Sequence, residues 1–164
     1  MATDFTRRTL ERAALVVATG FGAGCLPLAP GTWGSLVGVL WFLALWKLDW
    51  LVPGIAAGLV VSVVTAGVGE RHFARKDPPQ VVVDELACVP LAMLGLPVTI
   101  AWLAAAFVLF RVFDVIKPQP ANWVQRWPGG WGITADDVVA ALYACGTLHA
   151  IHWLIGLQAR APAL

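Results

Sequence analysis

Ten acidic residues are spread along the 164-residue chain, and six of them fall in three short polar segments that each abut a long apolar run. The first segment is Lys76-Asp77-Pro78-Pro79-Gln80-Val81-Val82-Val83-Asp84-Glu85. The second is Arg111-Val112-Phe113-Asp114-Val115-Ile116-Lys117-Pro118-Gln119-Pro120, and the third Gly129-Gly130-Trp131-Gly132-Ile133-Thr134-Ala135-Asp136-Asp137. Asp84-Glu85 opens an apolar run, Asp114 follows one, and Asp136-Asp137 opens the last. An ionisable group at the edge of an apolar helix is costly to keep there, which makes it a candidate for function. Oxygen ligands without paired Cys or His suit a hard cation such as Mg²⁺, which binds carboxylates together with substrate phosphate oxygens. Pro30-Gly31-Thr32-Trp33-Gly34-Ser35 adds the hydroxyls of Thr32 and Ser35 and free N–H groups at a helix start, a ready anion site.

Each of these features also has a purely structural explanation. Thr134-Ala135-Asp136-Asp137 reads as a helix start, with Thr134 as cap and the acids favoured by the dipole of the first turn. Asp84-Glu85 could serve in the same way. Arg111, Asp114 and Lys117 at i, i+3, i+6 could form a surface ion-pair ladder. Three such coincidences in a chain this poor in charge favour a site. Gly20-Phe21-Gly22-Ala23-Gly24 lacks the spacing of a phosphate loop and reads as a connector. His149 and His152, with no carboxylate nearby in sequence, read as structural, and His72 as solvated. Cys25, Cys88 and Cys145 are far apart, odd in number and set in apolar surroundings, so they read as buried packing residues.

The elements that position these groups are helices. Four long stretches carry no charge: Ala13 to Trp46, Leu51 to Gly69, Leu86 to Phe110, and Val138 up to Arg160. None alternates with period two. Glycines and prolines cut the first, leaving a helix at about 34–46. Pro53 suits the first turn of the second. Gly95-Leu96-Pro97 breaks the third into two arms. A bilayer span needs about 20 apolar residues. Leu51–Gly69 and Val138–Leu157 come close, and the stretch from Gly34 reaches only if Lys47 snorkels. Lys/Arg clusters at Arg7–Arg12, Arg71–Lys76 and Arg111–Arg126 place those segments on one, cytoplasmic, side, so Leu86–Phe110 must enter and leave on that side as a hairpin.

Composition agrees. Hydrophobic residues make up 59% and charged residues 13%, against about 25% charged in average soluble domains. A net charge of +1 gives no case for nucleic-acid binding. Nine tryptophans against one tyrosine suit a lipid–water boundary. The polar start with Asp4 and Glu11 among arginines, followed by a glycine- and proline-rich stretch, does not read as a cleaved signal peptide. The expected fold is all-α: a single domain over 1–164, a compact bundle of roughly six helices, membrane-embedded with polar loops on one face.

Ala29-Pro30-Gly31-Thr32-Trp33-Gly34-Ser35, the segment from Lys76 to Glu85, Phe110 to Pro120, and Gly129 to Ala140 together resemble the phosphatidylglycerophosphatase A family, in order and over about residues 19–143. Cys88-Val89-Pro90 and Ala141 depart mildly from the family's pattern of glycines. The resemblance implies an all-helical Mg²⁺-dependent phosphatase of the bacterial inner membrane that converts phosphatidylglycerophosphate to phosphatidylglycerol. It implies that Asp84, Glu85 and Asp137, with Asp114 or Asp136, hold one or two Mg²⁺ ions. Lys117, with Arg111 and Lys76, would bind phosphate oxygens, and Thr32 and Ser35 would add neutral donors. The motifs of CDP-alcohol phosphotransferases and of histidine-nucleophile lipid phosphatases are absent. The non-enzymatic alternative is a small membrane transporter or scaffold with polar loops.

Overall fold

The computed structural model describes residues 2–158, and every regular element among them is helical. In chain order these are α1 (Ala2–Ala18), α2 (Pro30–Lys47), α3 (Leu51–His72), α4 (Val83–Ala92), α5 (Ile100–Ile116), the single turn α6 (Ala121–Val124) and α7 (Gly130–Gln158), with a 3₁₀ turn at Ala23–Cys25. The expected all-α class holds. Helix α2 starts four residues earlier than the glycine-poor stretch indicated, because Pro30 fits the first turn, where its missing N–H is not needed. The polar N-terminal segment is also helical, and α1 packs along α3.

The short helix α4 is the centre of the bundle and packs against α2, α3, α5 and α7. Glycine makes the α2–α4 approach possible. A Cβ on Gly38 would lie 2.9 Å from Val89 Cβ and 3.0 Å from the Leu86 carbonyl, and one on Gly34 would lie 2.6 Å from Val82 Cβ. Phe42 of α2, Val89 and Met93 from α4 and the turn after it, Phe110 of α5 and Leu148 of α7 then close a common core. Each fully buried side chain of this kind is worth about 1.5–3 kcal/mol. Behind α4, a buried pair of hydroxyls, Ser62 on α3 and Thr134 on α7, meet at 2.8 Å.

The break expected inside Leu86–Phe110 is present: α4 ends at Ala92, Gly95 takes a left-handed φ of 76°, and α5 restarts at Ile100. Thr99 caps the restart by accepting the Trp102 N–H. From α7, His149 Nε2 meets the Leu94 carbonyl at 2.9 Å and pins the turn. Two expectations are corrected. Thr134 is not the cap of the last helix, because α7 begins at Gly130 and Thr134 lies buried within its second turn. Cys25 is exposed, since it ends the 3₁₀ turn outside the core, while Cys88 is buried and Cys145 partly so.

Leu51–His72 and Gly130–Leu157 are the two helices long and apolar enough to cross a membrane among the described residues. Their outer faces expose Val52, Val60 and Val64 on α3 and Trp153, Leu154 and Ile155 on α7. Apolar surface on this scale marks an interaction face in an ordinary globule.

Candidate active site

Four helix ends converge. The first turn of α4 delivers Asp84 and Glu85, where the helix dipole favours acids. The second turn of α7 delivers Asp136 and Asp137. The end of α5 delivers Arg111 and Asp114, and Lys117 is its left-handed C-cap. The loop between α3 and α4 supplies Arg75 and Asp77. Together with the backbone of Ala29–Gly31 they line a cavity of about 340 Å³.

Within it, Asp84, Glu85 and Asp137 each bring one carboxylate oxygen within 4.8 Å of the other two. Asp84 and Asp137 are almost wholly buried. Asp84 Oδ1, Glu85 Oε2, Asp136 Oδ1 and Asp137 Oδ2 are shielded from solvent and have no hydrogen-bond partner among the described residues. Native proteins seldom leave such atoms unpaired, because each one carries its full desolvation cost. The pairing that does exist engages Asp114 and the other oxygens of Glu85 and Asp136. Arg111 Nη1 donates to Asp114 Oδ2 at 2.6 Å and reaches Glu85 Oε1 at 3.5 Å. Lys117 Nζ donates to Asp136 Oδ2 at 2.5 Å and lies 3.8 Å from Asp77 Oδ2.

Six carboxylates thus face three cations, Arg75, Arg111 and Lys117, around one cavity. The excess shows in proton affinity. Burial, reinforced by the neighbouring Glu85, pushes Asp84 well above the usual carboxylate range. Burial pushes Glu85 up to about 7, despite a hydrogen bond from Asp84 and the charge of Arg111. Burial opposes charge on Lys117, but its hydrogen bond to Asp136 outweighs this and holds the ammonium above its ordinary value. Gly31 explains why the α2 start can wall this cavity: its missing side chain leaves room for the Glu85 carboxylate, and a Cβ there would also lie 2.9 Å from Arg111 Nη1.

Asp84, Glu85, Asp114, Asp136, Asp137, Arg111 and Lys117, all candidates from sequence, share this cavity, and the first two with Asp137 form its carboxylate triad. Thr32 and Ser35 do not line it. Ser35 is wholly buried and its hydroxyl donates to the Gly31 carbonyl at 2.8 Å, the usual bond of a serine inside a helix. Lys76 faces a neighbouring cavity instead. Arg75 and Asp77 are wall residues that spacing alone did not single out, although Asp77 lies inside the first polar segment. His152 packs edge-on against Trp102, away from the carboxylates.

A helical protein with long apolar faces and a buried acidic cavity walled by Arg and Lys has the makings of an enzyme acting on anionic groups at a lipid boundary. A sequence model described as phosphatidylglycerophosphatase A matches residues 16–152, and the chain belongs to that family of phosphatases. Among similar proteins, phosphatidylglycerophosphatase A of Escherichia coli is 35% identical over 150 residues, covering 87% of this chain and 86% of the relative. That of Haemophilus influenzae is 33% identical over 150 residues, covering 85% and 90%. A Bacteroides thetaiotaomicron protein named "Putative phosphatidylinositol-3-phosphatase" is 36% identical over 154 residues, covering 87% and 95%. No solved structure matches the chain.

Proposed function

We propose that this protein is a Mg²⁺-dependent lipid phosphate monoesterase that hydrolyses phosphatidylglycerophosphate to phosphatidylglycerol and phosphate. The observation that carries the reading is the triad Asp84, Glu85 and Asp137, with converging oxygens and a buried unpartnered oxygen on each residue. An all-oxygen donor set of this charge fits a hard divalent cation. Membership of the family and the names of the relatives support the substrate. The names of all three relatives describe a phosphate monoester on a polyol that a phosphodiester joins to the lipid.

Asp84, Glu85 and Asp137 would hold the metal, which supplies Lewis-acid stabilisation of the phosphoryl group. The remaining work falls to the protein's own side chains. Phosphoryl transfer demands mainly positioning and neutralisation of charge. Arg111 and Lys117 bind the outer phosphate oxygens, and Asp114 and Asp136 hold those two cations in place. Asp136 keeps its second oxygen unpartnered and is the carboxylate free to accept the proton of the attacking water. The acyl chains lie along the exposed apolar faces of α3 and α7. The protein would be a multi-pass protein of the bacterial inner membrane, with this cavity facing the cytoplasm. The basic residues beside the cavity support that orientation through the positive-inside rule.

The test is phosphate release from phosphatidylglycerophosphate by detergent-purified protein, with Mg²⁺ and in excess chelator. The expected result is release that depends on Mg²⁺. Full turnover in chelator removes the metal from the reading, and no release under any condition returns the protein to the transporter-or-scaffold alternative.

A further inference from the structure

A second cavity, of about 410 Å³, adjoins the carboxylate cavity and shares Arg75 and Asp77 with it. Its remaining lining residues are Lys76, Asn122, Gln125 and Arg126. Its polarity is the reverse of its neighbour's. The side chains of Arg75, Lys76 and Arg126 have no ion-pair or hydrogen-bond partner among the described residues, whereas those of Arg111 and Lys117 next door are both engaged by carboxylates. The one acid present, Asp77, already accepts from Gln125 Nε2 at 3.3 Å and faces Lys117 at 3.8 Å. Three uncommitted cations and a neutral amide, Asn122, therefore point at one space. The adjacent indoles of Trp123 and Trp127, 58% and 41% exposed and packed edge to face, are the side chains that settle at a lipid headgroup boundary.

We infer that Arg75, Lys76 and Arg126 form a phosphodiester subsite, which recognises the inner phosphate of a two-phosphate lipid headgroup while the outer monoester sits among the carboxylates. The inference rests on the proposed lipid phosphatase reading and deepens it. In phosphatidylglycerophosphate one glycerol separates the two phosphates, so a monoester in the first cavity leaves the diester at its mouth. Guanidinium and ammonium groups are the natural partners of that anion. A lipid whose only phosphate is the monoester cannot fill both cavities. The subsite therefore selects for a polyol-phosphate headgroup.

The experiment replaces all three cations with Arg75→Gln, Lys76→Gln and Arg126→Gln, with melting temperature as the folding control. KM for phosphatidylglycerophosphate in mixed micelles and the inhibition constant of dihexanoyl phosphatidylglycerol, which carries only the diester, should both rise about tenfold or more. The loss should fall on KM rather than kcat, and inhibition by inorganic phosphate, which competes for the carboxylate cavity, should move much less. Unchanged KM and dihexanoyl phosphatidylglycerol inhibition would overturn the subsite. A fall in kcat together with weaker phosphate inhibition would do the same, by assigning the cations to the monoester. Calorimetric binding of dihexanoyl phosphatidylglycerol to wild type and triple variant needs no turnover. Binding that the triple variant loses upholds the subsite even if phosphate release fails, and equal binding by both removes it.

Discussion

At the scale of single residues, the choice is between acids that cap helices and acids that hold a metal. Asp136 and Asp137 lie in the second turn of α7, beyond the reach of a capping role, whereas Asp84 and Glu85 do occupy the first turn of α4. If all were merely dipole partners, Asp84→Asn, Glu85→Gln and Asp137→Asn would each cost about 1 kcal/mol of stability and leave turnover intact. The buried, unpartnered oxygens lead to the opposite expectation: turnover falls a hundredfold or more, and melting temperature holds or rises as repulsion in the triad is relieved. Lys117→Met should also cut turnover, with Mg²⁺ affinity close to wild type. Turnover, Mg²⁺ titration and melting curves for the four variants decide this. Normal turnover in the three acid variants would rule out the metal triad.

The same residues set a pH dependence. Glu85 has a folded value of about 7, above its ordinary 4.5, and Asp84 is raised too. A raised carboxyl contributes stability that is present below its ordinary value and lost as pH rises through the folded one. In chelator, melting temperature should therefore fall between about pH 5 and pH 8, and Mg²⁺ should offset that fall by occupying the ionised triad. A melting temperature that rises across this range in chelator would show that the triad is not strained by its charge.

At the scale of elements, α4 is the carrier of the site and α2 is its support. A Cβ on Gly38 would crowd Val89 Cβ and the α4 carbonyls of Glu85 and Leu86, so Gly38→Ala must push α4 outward. Overpacking of this kind costs about 1–3 kcal/mol. Displacing the turn that holds Glu85 should also lower turnover more than the stability loss alone explains. Melting temperature and kcat of Gly38→Ala measure both. Gly146→Ala on α7 is the control, because a Cβ there meets nothing within 4 Å.

At the scale of the whole molecule, the end of α5, the starts of α2, α4 and α7 and the loop after α3 gather at one cavity, so the α4–α5 pair must begin and end on the same side. Single cysteines at positions 80 and 119, placed in a background without Cys25, Cys88 and Cys145, should be labelled from the same face of the membrane. Labelling from opposite faces would divide the polar loops and refute the proposed embedding. The exposed apolar flanks of α3 and α7 fit the same arrangement, since they need a partner other than water.

The sequence by itself determined the helical class, the break near Gly95 and the set of acids. Apolar runs without period-two alternation and too long for a strand read as helices, a glycine–proline pair interrupts a helix, and carboxylates in a charge-poor chain stand out wherever they fall. Only the tertiary structure decided which acids meet. Asp137 lies 52 positions beyond Glu85, and no local periodicity reports that α7 packs on α4 so that their oxygens converge. It also decided that Ser35 turns back on its own helix, that Thr134 is buried rather than capping, and that Lys76 faces a second cavity. Local spacing fixes a side chain's place along its helix. What it faces depends on the packing of helices distant in sequence, which here rests on glycines whose meaning appears only when another backbone lies against them.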